Sequence, residues 1–173
     1  MTQAMKLAAG AAFPDIRVAR LGGGEIAPAA MPGWRLVVVY RGKHCPLCKP
    51  YLSGLDKLME EYQAAGVAVA AVSADPAAKA EADVQEFGWR FPVGIDLSVE
   101  QMKALGLYVS QPRSEQETDR PFAEPAVFLI NPEGRVQIVD ISNAPFARPD
   151  LAMVLRGAKF VQEKGYPIRG TMG

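Results

Sequence analysis

The chain has 173 residues, 49% of them hydrophobic, with 19 Lys and Arg balanced by 19 Asp and Glu. That size suits one domain that buries its core without disulfides or metal, and the absence of a basic surplus gives no reason to expect nucleic acid as a partner. The longest apolar runs fall far below the roughly 18–20 residues of a membrane span, and "MTQAMKLAAGAAFPDI" lacks the charged start and long apolar block of a secretory leader. A soluble, cytoplasmic protein is therefore expected, with one domain over residues 1–173 and a core from about 13 to 165.

In chain order, Ile16 to Arg20 and Glu25 to Pro28 flank Leu21-Gly22-Gly23-Gly24 and predict an N-terminal β-hairpin. "WRLVVVY", 34–40, is a Val-rich run suited to a strand covered on both faces. From about Pro46 to Ala65 the period becomes helical, with Leu52, Leu55, Leu58, Met59 and Tyr62 on one face and Gly66 just past the end. Pro50 predicts a kink or a loose first turn over 46–50. A second buried strand, 67–75, leads to a helix over 75–88, with Asp75 as cap and Pro76 at its first position. A short strand at 91–96 and a Ser98-capped helix follow. The polar stretch 110–125 reads as a loop, Ala126 to Ile130 and Val136 to Ile141 as a hairpin, and 148–165 as a closing amphipathic helix. Strands alternating with helices imply a mainly parallel core, and the last hairpin makes the central sheet mixed.

The chemistry concentrates in "YRGKHCPLCKPY", residues 40–51, which holds the only two cysteines, Cys45 and Cys48, and the only histidine, His44. A disulfide scaffold needs more cysteines, and a staple gains little from enclosing two residues. Zinc sites commonly draw on two such pairs, and a c-type haem needs His where Lys49 stands. No metal or cofactor is therefore expected. Redox chemistry is the expectation. At a strand-to-helix junction the free N–H groups favour a thiolate, so Cys45 is the candidate nucleophile. Cys48, one turn on, is placed to resolve what forms on Cys45. Arg41, Lys43, Lys49 and His44 bring positive charge nearby, although the His44 ring is expected to point away from Cys45. Pro46 suits the helix start.

"YRGKHCPLCKPYL", "FPVGIDLSVEQMKALGL" and "EPAVFLINPEGRV", in that order, resemble the alkyl hydroperoxide reductase and thiol-specific antioxidant group, closest to its peroxiredoxin-like branch. The resemblance implies an α/β thioredoxin-like fold, a mixed sheet flanked by helices, with Cys45 attacking and Cys48 resolving. It also implies a cis Pro125 facing the pair and shaping a substrate groove, to which Glu124, Arg41, His44 and Pro46 are assigned. Glu124 is expected at the rim, in water. The sequence departs from the group at several points. The peroxiredoxin Thr/Ser slot is Gly42 and its Pro slot Val38; the buried Asp of thioredoxins falls on Val39. The Arg that peroxiredoxins place before the matching last hairpin is missing, and Arg41 and Arg120 are the candidates to replace it. The expected partners are a peroxide or protein disulfide and a thioredoxin- or glutathione-type reductant, with a homodimer left open. The alternative is a redox-sensing or partner-binding module without turnover.

Overall fold

A computed structural model of the chain describes residues 4–173. Residues 1–3, where the segment read above as lacking a secretory leader begins, lie outside them. Among the described residues no helix is long and apolar enough to cross a membrane.

The N-terminal hairpin forms from β1 (Val18–Arg20) and β2 (Glu25–Ile26). Next come β3 (Trp34–Val39), helices α1 (Cys48–Lys57) and α2 (Met59–Ala64), and β4 (Val67–Val72). Helix α3 (Ala77–Phe87), β5 (Val93–Ile95) and α4 (Val99–Ala104) complete the middle of the chain. Strands β6 (Val109–Ser110), β7 (Phe122–Ala123), β8 (Ala126–Ile130) and β9 (Val136–Ile141) lead to α5 (Leu151–Lys164). The main sheet runs β2-β1-β5-β4-β3-β8-β9, and β6 and β7 pair separately. The stretch 110–125, expected to be all loop, thus contributes to a small ribbon. Only β5-β4-β3 are parallel neighbours; every other pairing is antiparallel. The core is therefore less parallel than the strand–helix alternation implied, because both the first and the last hairpins add antiparallel edges.

Period-two alternation on β3 divides the core. Leu36, Val38 and Tyr40 face α1, α2, α3 and α5, while Val37 and Val39 face α4 and the N-terminal segment. Burying each such side chain is worth roughly 1.5–3 kcal/mol, so a register slip on this strand would reverse both layers at once. Segment 10–13 adds backbone bonds to the last hairpin, including Gly10 N–H to Val136 O at 2.8 Å and Phe13 N–H to Gly134 O at 2.9 Å.

Three helix ends differ from expectation. Helix α1 starts at Cys48, not Pro46. Pro50 is then its third residue, where a helix has no use for an N–H, and the expected loose first turn is present at 46–47, closed by the Cys48 N–H on Cys45 O at 3.3 Å. A break comes at Leu58, whose N–H reaches the Leu55 carbonyl in a tightened turn between α1 and α2. Asp75 does not cap α3; Pro76 takes that place, and the Asp75 carboxylate turns away to accept the Lys43 N–H at 2.8 Å. The Ser98 cap is present as a full capping box with Gln101.

Candidate active site

Strand β3 ends at Val39, and residues 40–47 carry the chain across the sheet's end to α1. Gly42, at φ 134°, makes the turn that this crossing requires. The Cys45 N–H bonds Gly42 O, and the Cys48 N–H bonds Cys45 O, so the two cysteines bracket one closed turn. Their Sγ atoms lie 2.6 Å apart, with Cys48 donating to Cys45. Little movement separates this arrangement from a disulfide.

The two thiols are driven in opposite directions. Cys45 is held down at about 6, first by the hydrogen bond from the Cys48 thiol, against burial, and then by the Arg41 guanidinium and the Cys48 backbone N–H. Cys48 is pushed well above the ordinary thiol range by that same hydrogen bond and by burial. Cys45 is thus the sulfur favoured as thiolate. The supporting cation is Arg41 alone among the four residues named from sequence. Lys49 spans the Lys43 carbonyl and the buried Asp83 carboxylate. Burial, and then Arg41, pushes His44 down to about 4, so at neutral pH it carries no charge. Its ring meets Phe122 edge-on at 4.4 Å.

Arg41 is itself anchored. Its Nε lies 2.9 Å from Glu124 Oε1 in an ion pair, and Ser110 Oγ donates to Glu124 Oε2 at 2.6 Å. Glu124 is 4% exposed, which corrects its expected place at the rim: the Arg41 charge makes burial of the carboxylate tolerable. Arg120, the other candidate for the missing arginine, pairs with Asp96 and Asp119 instead.

A groove of about 400 Å³ runs beside the pair. Arg41, His44 and Pro46 line it, together with Phe122, Pro145 and Phe146. Glu124 and Pro125 are not among its walls. The peptide bond before Pro125 is trans, contrary to expectation. Trans is the ordinary state of such a bond, and here the Pro125 carbonyl receives the Ser142 N–H at 2.9 Å. A second difference concerns access. Cys45 and Cys48 are 0% and 1% exposed, because both pack into the core layer between β3 and the helices. A reactive thiol is usually partly open; these two are buried.

Sequence reading missed Arg148. It lies in the segment entering α5, 100 residues from Cys48, and its Nη1 is 3.3 Å from Cys48 Sγ. No local pattern marks such a contact. Among the described residues no group of three or more His, Cys, Asp and Glu side chains is arranged to hold a metal.

This is a thioredoxin-like sheet with a dithiol at the junction of its central strand and first helix. The AhpC/TSA family model matches residues 9–139, and the chain belongs to that family. Thiol-disulfide oxidoreductase ResA of Halalkalibacterium halodurans is 28% identical over 117 residues, covering 67% of this chain and 58% of that protein's length. Peroxiredoxin 6 of Arenicola marina superposes with a TM-score of 0.78 at 17% identity, over 90% of this chain and 74% of the other. A peroxiredoxin-like protein from Aquifex aeolicus gives 0.76 at 20% identity, over 89% and 87%.

Proposed function

We propose that the chain is a thiol-dependent oxidoreductase that cycles Cys45 and Cys48 between dithiol and disulfide. The observation that carries this reading is the 2.6 Å approach of the two sulfurs, one of them held low beside Arg41. In the first step the Cys45 thiolate attacks a substrate disulfide and releases one thiol. In the second, Cys48 attacks Cys45, the mixed disulfide breaks, and the second thiol leaves. The substrate gains two electrons and the pair loses them. A thioredoxin- or glutathione-type donor then restores the dithiol, as the reducing cytoplasm would allow.

Disulfide exchange is favoured over peroxide reduction. A hydroxyl that would hold a peroxide oxygen has no counterpart at Gly42, where an Asp75 oxygen lies only 2.6 Å from any added Cβ. With peroxide as oxidant, Cys45 would become a sulfenic acid and Cys48 would condense with it, releasing water. Similarity to the oxidoreductase and peroxiredoxin relatives supports both routes as chemistry of this kind. In either route the substrate must gain access to sulfurs that lie 0% and 1% exposed.

The closed sulfurs favour a second reading, a redox-sensing module that reacts once. Turnover separates the two. Insulin disulfides or hydrogen peroxide are supplied with a thioredoxin reducing system, to wild type and to Cys45→Ser and Cys48→Ser. Sustained consumption that is lost in Cys45→Ser establishes the enzyme. One equivalent consumed, and then nothing, establishes the sensor.

A further inference from the structure

Each sulfur of the pair has its own guanidinium, and the two come from different parts of the fold. Arg41, just before the turn, serves Cys45. Arg148, just before α5, serves Cys48, with Nη1 at 3.3 Å from its Sγ. We propose that Arg148 is a catalytic residue of the second half-reaction, stabilising the Cys48 sulfur as it loses its proton and attacks Cys45. This rests on the dithiol cycle proposed above and adds a division of labour to it.

The guanidinium is built into position. Its Nε donates to Pro145 O at 3.0 Å. Its Cζ stacks 4.4 Å from the centre of the Tyr51 ring. Tyr51 lies three residues after Cys48, so both sit on one face of α1. The Tyr51 hydroxyl in turn donates to Pro149 O at 2.7 Å, tying the same helix face to the segment that carries Arg148. Among the described residues Arg148 forms no ion pair with a carboxylate, so its charge is not spent elsewhere. An arginine packed on an aromatic ring and aimed at sulfur is a placed cation.

The second step needs such a cation more than the first. Cys48 is buried, and burial disfavours its thiolate. Once Cys45 is bonded to substrate, Cys48 must supply the electron pair for the new Cys48–Cys45 bond. The Cys45–substrate S–S bond breaks, its electron pair leaves with the substrate sulfur, and that sulfur takes the proton Cys48 has lost. Negative charge grows first on Cys48, within reach of Arg148.

Reaction with 5,5′-dithiobis(2-nitrobenzoate) reads both steps in one trace. The first nitrothiolate is released when Cys45 attacks, and the second when Cys48 closes the disulfide. Wild type, Arg148→Met and Arg148→Lys are compared in reduced form. The expected result is a first phase in Arg148→Met no slower than in wild type, a second phase slowed tenfold or more, and partial recovery in Arg148→Lys. An unchanged second phase overturns the proposal. So does equal slowing of both phases, which marks a merely structural role. A wild type that releases one nitrothiolate and never the second overturns the dithiol cycle itself, and this proposal with it.

Discussion

A Cβ added to Gly42 would lie 2.6 Å from Oδ1 of Asp75 and 3.1 Å from its carboxyl carbon. The same carboxylate accepts the Lys43 N–H, so Asp75, in the connection between β4 and α3, shapes the turn that presents Cys45. Gly42 also sits at φ 134°, where a side chain is strained whatever the space. Gly42→Ala is expected to destabilise by about 1–3 kcal/mol from the backbone alone, with the clash added. Asp75→Ala removes the clash and leaves the backbone cost, so the double variant recovers part of the loss. Urea midpoints of the two single variants and the double form a cycle that reads this coupling. Strict additivity would mean that the two residues do not compete for space.

Arg41 joins Glu124 to Cys45, and its removal has two separable effects. Without the guanidinium, the Cys45 thiolate loses a stabilising partner. In Arg41→Met the midpoint of iodoacetamide alkylation against pH is expected to rise from about 6. Glu124 is then buried with Ser110 as its remaining side-chain partner. Removing one member of a buried pair costs about 3–5 kcal/mol, and Arg41→Met/Glu124→Gln should recover much of it without returning the alkylation midpoint. Recovery of both together would mean that Arg41 acts on Cys45 only by keeping the turn in shape.

Local chemistry made most of the fold legible. The Val-rich run of β3, the Asn131–Gly134 turn between β8 and β9, the Ser98 cap and the glycine that follows α3 each carry their own signal within a few residues. The dithiol was legible for the same reason: Cys45 and Cys48 are near in sequence and in space. What failed depends on distant partners. Glu124 looks like a surface carboxylate until Arg41 folds over it, and Asp75 looks like a cap until Lys43 claims it. Arg148 looks like any arginine before a helix, and only the packing of α5 against α1 brings it to Cys48. Burial of the sulfurs was missed because spacing reports which face a residue lies on, not what lies over that face.

His44 gives a pH signature of its own. Burial holds its folded-state pKa near 4, below the ordinary 6.5. The folded state therefore resists a proton that the unfolded chain accepts. The corresponding stability is whole above 6.5 and is lost as pH falls toward 4. In the difference between wild type and His44→Gln, urea midpoints should converge or cross over that interval and run parallel above it. A constant difference from pH 4 to 7 would show that the imidazole stays wet and titrates freely.

The dithiol itself predicts a rise and fall of stability with pH that its disulfide lacks. An ordinary thiol titrates near 9; Cys45 is depressed to about 6, and Cys48 is raised. Between pH 6 and 9 the folded chain has released the Cys45 proton while the unfolded chain still holds it. The unfolded state then binds more protons, and stability rises with pH. Above 9 the unfolded chain also sheds the Cys48 proton, which the folded state retains, and stability falls. The contribution of the pair should therefore peak near pH 9. The measurement is the urea midpoint of the phosphine-reduced protein minus that of Cys45→Ser/Cys48→Ser, from pH 5 to 10. Oxidation to the disulfide removes both titrating groups and should abolish the peak. A difference that stays level through pH 6–9 would mean that Cys45 keeps its proton, and a nucleophile held ready at neutral pH would have no basis.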